Sequence, residues 1–190
     1  MAFRKLFSTM NQHTSRWAKL HDESTGYLNT LASIISRVPI VSNPENYGVL
    51  KQFDGLCPIL VSRHIASIEE YLRALRVHLD EYRDLWKKMD QVRQDAYAYF
   101  MAHPAEQEEI RPEWDSIATL LAPYFNEMQL KQQLIDSIRY DMGKGIGVLV
   151  EQWQAMPAAR PKFPHAIPST AAPTSPLPAP ASSSPHINKR

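Results

Sequence analysis

The sequence predicts an all-α protein: an elongated antiparallel helical hairpin or three-helix coiled-coil array with a disordered C-terminal tail. Three observations predict it. Residues 59–103 contain neither proline nor glycine, a run that only a long helix or a disordered segment tolerates. Across that run Val61, Ile65, Ile68, Leu72, Leu75, Leu79, Tyr82, Trp86 and Met89 alternate steps of four and three, and Arg93, Ala96 and Phe100 continue the register. An apolar period of 3.5 residues with charged residues between is a coiled-coil seam. No segment offers the two-residue alternation of a strand. Forty residues of helix reach roughly 60 Å, too long for a small globular core to cover.

Taken in order, residues 1–13 are read as an N-terminal segment outside the helical domain. Arg4, Lys5, Arg16 and Lys19 with several Ser and Thr and no acid before Asp22 give residues 1–21 the composition of a mitochondrial presequence. Against that reading, the helical pattern begins inside the segment. The domain spans 14–156. Its first helix, of about twenty residues by the usual apolar spacing, carries Trp17, Leu20, Leu28, Leu31, Ile34, Ile35 and Val38 and ends near Pro39. A turn follows at 41–46, where Ser42 or Asn43 can cap what comes next. Leu50, Phe53, Leu56 and Leu60 form a short helical stripe with Pro58 as a candidate kink. After the long helix, His103-Pro104 is a stop and the acidic 106–109 stretch a linker. Pro112 suits the first turn of a further helix bearing Trp114, Ile117, Leu120, Leu121, Tyr124, Met128, Leu134, Ile135 and Ile138, with Pro123 inside it. A glycine-bearing loop then leads to a last short helix with Ile146, Val148, Leu149, Val150 and Trp153.

Nine of the fifteen prolines lie at or beyond Pro157. Residues 157–190 are mostly Pro, Ala, Ser and Thr and cannot bury enough apolar surface to offset ordering of the chain. They are read as a plain solubilising tail, with a spacer or a phosphorylation target at Thr174-Ser175-Pro176 and Ser184-Pro185 as the alternatives. All 20 acidic residues but only 17 of the 21 basic ones lie within 1–156, leaving that part at −3. Such a balance argues against a dedicated, sequence-specific nucleic-acid reader. No apolar run approaches the ~18 residues needed to span a bilayer. The lone Cys57, between Leu56 and Pro58-Ile59-Leu60, excludes a disulfide framework and reads as a small buried hydrophobe.

Catalytic patterns are wanting. Gly143-Lys144-Gly145-Ile146-Gly147 invites a phosphate-loop reading but lacks the preceding strand and the Lys-Ser/Thr pair, so it reads as a helix–helix connector. His64 and His78, fourteen residues apart, cannot share one ion, and the histidines as a set lack metal spacing. No glycine-flanked nucleophile turn is present. No catalytic, cofactor-binding or metal-ligating residue is assigned, and no cofactor is expected. Trp and Tyr dominate partner interfaces. The expected interface is therefore the 61–96 seam with two later aromatics: Ile65, Ile68, Leu72, Leu75, Leu79, Tyr82, Trp86, Met89, Tyr124 and Trp153.

Two resemblances attach to these helices. Leu120-Leu121-x-x-Tyr124-x-x-Glu127-x-x-Leu130-Lys131 followed by Trp153-x-x-x-Pro157 resembles the C-terminal half of the cyclin-dependent-kinase-interacting protein family (CINP), and Leu79-Asp80 with Lys88-Met89 and Val92 resembles its central helix. Trp17 with Leu28, Leu31 and Ile34, then Leu50-x-x-Phe53-x-x-Leu56-x-x-x-Leu60, and Leu134-Ile135-x-Ser137-Ile138, resemble the related ribosome-maturation factor family AIRIM. Pro123 and Asn126 depart from both, and the tail matches neither. The resemblance implies a non-catalytic coiled-coil adaptor subunit of an AAA+ ATPase complex, acting in large-ribosomal-subunit maturation or in DNA replication through replisome disassembly. Its implied partners are a helical protein, the AAA+ ATPase and, through CINP, a cyclin-dependent kinase. The implied location is nucleus and cytoplasm, with the mitochondrion as the alternative from the N-terminal composition. The competing reading is a homo-oligomeric structural coiled-coil tether or scaffold.

Overall fold

A computed structural model describes residues 2–156, and every regular element among them is helical. The first helix, α1, runs from Ala2 to Val41. Its buried side chains, Phe3, Met10, Thr14, Trp17, Leu20, Ser24, Leu28, Leu31 and Ile35, keep one face turned inward over about nine turns. The N-terminal segment expected outside the domain is therefore part of it. Phe3 packs on Tyr99 with ring centroids 5.7 Å apart, and each such buried apolar side chain stabilises by about 2 kcal/mol. The helix passes Pro39 and stops two residues later.

Asn43 caps the connection by accepting the Glu45 N–H at 3.1 Å, and Pro44–Gln52 winds as 3-10 turns broken at Gly48, whose φ is +55°. Gly55, at φ +84°, supplies the left-handed residue that starts α2, Leu56–Ala102. Pro58 falls in the first turn, where no intrahelical N–H is missed, so it does not act as a kink. The 47 residues of α2 measure about 70 Å. His103 closes the helix, its N–H returning to the Tyr99 carbonyl at 3.1 Å while its ring stacks on Tyr99.

The acidic stretch is not a linker. After one 3-10 turn at Pro104–Glu106, α3 runs from Gln107 to Asp136 with Glu108 and Glu109 in its first turn, where negative charge suits the helix dipole. Pro112 and Pro123 both lie inside α3. A second reversal leads to α4, Ile146–Gln154.

Contacts fix the directions. Arg16 bonds Glu81 at 2.9 Å, so α1 and α2 form an antiparallel hairpin. Arg111 lies over the Phe100 ring and Arg83 bonds Gln132, so α3 returns along α2. Gln154 reaches Asn29 and Gly143 lies against Pro39, which sets α4 antiparallel to the upper part of α1. The tail reading at 157–190 lies outside the described residues.

Candidate interaction surface

The long seam exists, but the chain itself occupies it. Ile68, Leu72, Leu75, Leu79, Tyr82 and Met89, expected to face a partner, are buried against α1 and α3, as are Tyr124 and Trp153. Beyond Tyr82 the register also slips. Leu85 and Val92 are the buried positions, whereas Trp86 and Arg93 sit on the flank toward α3. Trp86 packs on Phe125 at 5.4 Å and Tyr97 on Trp114 at 5.6 Å, which leaves a half-exposed aromatic strip along the α2–α3 seam. The physical reason is that one helix must satisfy two neighbours, so its buried face widens past a strict heptad stripe.

A buried polar centre ties α1, α2, α3 and α4 together. Trp17 meets Tyr82 and Tyr124 edge-on, with centroids 4.7 and 4.9 Å apart. Its indole N–H donates to Glu127 Oε1 at 3.1 Å. Lys131, fully buried one turn further on, lies 3.3 Å from the same oxygen. The Lys131 ammonium donates to His21 Nδ1 at 2.8 Å, which requires that nitrogen to carry no proton. The same ammonium sits 4.0 Å above the Trp153 ring and 5.2 Å from that of Tyr82, and Ser24 shares a hydrogen bond with the Tyr82 hydroxyl at 3.1 Å.

Burial pulls the Lys131 amine down to about 8, against the opposing pull of the Glu127 carboxylate. Burial also pushes the Tyr82 and Tyr124 phenols above their ordinary range, with Glu127 adding to the effect. Buried ion pairs of this kind contribute little net stability but penalise a wrong register. Glu127, Lys131, His21 and Ser24 were absent from the expected site, yet a signal existed. Lys131 occupies a seam position in the series Ile117, Leu121, Tyr124, Met128, Lys131, Ile135, and Ser24 fills the gap between Leu20 and Leu28.

Above this centre the picture inverts. Between Ile35 and Ile68 no residue is buried. Yet Ile40, Val49, Leu50, Phe53, Ile59 and Ile65 all present large apolar side chains to the outside, Val49 at 80% and Phe53 at 58% exposure. Of the expected interface residues, Ile65 is the one that lies here. The expected short helical stripe Leu50–Leu60 is split, with Leu50 in the 3-10 turns and Leu56 and Leu60 in α2; Leu50 and Phe53 are exposed, and Cys57, expected to be buried, is only half-buried, as are Leu56 and Leu60.

Helix length explains the exposure. The 30 residues of α3 cover about 45 Å of the roughly 70 Å of α2, so the upper end of the hairpin has no third helix. Polar bonds nevertheless hold the tip in shape. Asn46 donates to the Ile40 carbonyl at 2.8 Å, Tyr47 to that of Val41, and Lys51 pairs with Glu45 at 3.0 Å. The Cys57 thiol also points at the Val41 carbonyl, 3.4 Å away. A backbone held by its own local polar bonds while its large apolar side chains stay exposed has the character of a candidate interaction surface.

Among the described residues no group of three or more His, Cys, Asp or Glu could hold a metal ion. None of the described helices is long and apolar enough to cross a membrane. A family model described as CA109-like, ribosome biogenesis protein C1orf109-like, matches residues 1–166. No curated protein and no solved structure matches the chain.

Proposed function

The chain belongs to the CA109-like family of ribosome biogenesis proteins, and from that premise we propose that it is a non-catalytic adaptor subunit whose hairpin tip docks on a helical partner. The assembly proposed is an AAA+ ATPase complex that matures the large ribosomal subunit, with the ATPase supplying the energy and this chain the positioning. The family match agrees with the AIRIM resemblance. Its description names ribosome biogenesis alone, so a replication role and a cyclin-dependent-kinase contact form no part of the proposal.

One observation carries the docking reading: the tip, residues 36–67, exposes a set of large apolar side chains on a backbone held by its own polar bonds. The location proposed is the nucleus, with passage through the cytoplasm. The first twenty residues supply Phe3, Met10 and Trp17 to the core, which speaks against a cleaved mitochondrial presequence.

The experiment is co-purification followed by mass spectrometry, with the wild-type chain beside a Phe53→Asp/Ile59→Asp variant. Recovery of an AAA+ ATPase with the wild type and its loss with the variant is the expected result. Recovery of no AAA+ ATPase under conditions that preserve complexes would sink the ATPase assignment. A stable homodimer joined through the tip, read by light scattering, would favour the scaffold alternative.

A further inference from the structure

Because α3 packs chiefly on α2 and only lightly on α1, the α1–α3 edge of the bundle forms a shallow groove. Its upper part is filled by α4. That helix descends from Pro39, beside which Gly143 lies, to Asn29, whose Oδ1 accepts the Gln154 amide at 3.5 Å. Met156 is buried, so the last described residue is anchored with the chain heading down the same edge. Below it the groove passes Trp17 and Tyr124 and ends at the Arg4–Glu109 pair. Asn11 stands two turns above Arg4 on α1, and Glu113 one turn above Glu109 on α3, which puts both on this edge. Phe7 and Leu120 are half-buried beside them. Asn11 Oδ1 and Glu113 Oε2 are buried, and neither has a hydrogen-bond partner among the described residues. Buried acceptors of this kind are costly unless a donor reaches them.

We infer that the chain's own residues 157–166 continue the path of α4 as an extended strap down this groove, with Phe163 against Phe7 and Leu120 and the Lys162 ammonium donating to the buried acceptors. Reach, composition and charge agree on this occupant. Between Asn29 and Asn11 α1 descends about 27 Å. A polyproline II chain advances about 3.1 Å per residue, so Pro164 comes level with Asn11. Pro157, Pro161 and Pro164 favour that extended form, and a segment already extended loses little entropy on docking. Arg160 and Lys162 bring positive charge with no acid between 157 and 166, whereas residues 1–156 are net negative. The family match is an independent sign, because it continues past Met156 to residue 166 and leaves out 167–190.

Paramagnetic labelling of the full-length chain is the test. A nitroxide attached to a Cys57→Ser/His165→Cys chain should broaden the NMR signals of residues 7–14 on α1 and 113–120 on α3. Even, weak broadening over the whole surface would overturn the inference. So would broadening centred on the tip or on the Trp86–Phe125 strip. A nitroxide on a Cys57→Ser/Ser183→Cys chain, beyond the family match, should mark no patch. The same pattern from both labels would reduce the effect to a loosely tethered tail and overturn the strap. Mixing nitroxide-labelled chains with isotope-labelled ones tests the other occupant, since broadening passed between chains would assign the groove to a second copy. Urea unfolding of the full-length chain reads the strength of the contact. Phe163→Ala should raise the unfolded-to-folded ratio about tenfold, as removal of a half-buried ring does, while Ile187→Ala should leave it unchanged. Equal midpoints for Phe163→Ala and the wild type would overturn the docking of Phe163.

Discussion

The body of the bundle and the tip of its hairpin, where α1 and α2 meet through their connection, carry the same kinds of apolar residue, yet they meet opposite fates. In the body Leu31, Ile35, Leu75 and Leu79 are buried; in the tip Leu50, Phe53, Ile59 and Ile65 are exposed. The difference lies in the third helix. Where α3 and α4 lie against the hairpin there is a core, and where they end there is a surface. An apolar stripe states that a face seeks cover, and helix lengths decide whether the chain supplies it.

That contrast can be broken by substitution, and the largest effect is expected in the body. Leu79→Asp places an unpaired carboxylate in the core and should cost about 4 kcal/mol or more, measured by urea unfolding followed by circular dichroism. A Leu79→Asp chain that keeps its stability but loses its partner would return the seam to the outside. The tip should behave in reverse. Phe53→Asp should shift unfolding by less than about 0.5 kcal/mol while weakening partner affinity by about 2 kcal/mol, roughly thirtyfold, as loss of a hot-spot side chain does. Calorimetry with the co-purified partner reads it.

The polar centre sharpens the comparison, because it lies deep in the body, midway along α1 and α2. Lys131→Met removes the cation beside Glu127 and leaves that buried carboxylate uncompensated, so it should destabilise the fold by about 3 kcal/mol, seen as a lowered urea midpoint. The smallest effect is on pH. The folded-state lysine titrates near 8 instead of 10.5, so above pH 8 the unfolded chain binds more protons than the folded one and stability rises. The gain should be about 1 kcal/mol between pH 8 and 9. It should turn over near pH 10, where Tyr82 and Tyr124, held protonated by burial, begin to lose a proton only in the unfolded chain. Denaturation midpoints at pH 7, 8, 9 and 10.5 check both limbs, and Lys131→Met should remove the rising one.

The helical class and the long α2 were legible because Leu72, Leu75, Leu79 and Tyr82 repeat without a proline or glycine to interrupt them. The last helix was legible too, from Ile146 to Trp153. The first half of α1 was not, because Phe3 and Met10 stand a full two turns apart and Thr14 breaks the apolar series. Lys131 hid for the same reason: a lysine on a seam reads as solvated until three helices converge on it. Which part of the 61–96 seam stays exposed was beyond periodicity altogether. Ile65 and Ile68 are three residues apart in one stripe, and only the place where α3 stops separates the exposed one from the buried one.

The tip's charges have a kinetic consequence. Residues 36–67 carry three basic and two acidic side chains, with Lys51 and Glu45 paired. The C-terminal end of α1 and the N-terminal end of α2 lie side by side there, so their opposite dipoles offset each other. A surface so nearly neutral exerts no long-range pull on an approaching molecule. The encounter rate with a molecule docking there should stay in the unsteered range of about 10⁵–10⁶ M⁻¹s⁻¹ and change little with added salt, so the lifetime of such a complex, rather than the speed of its formation, should set its affinity.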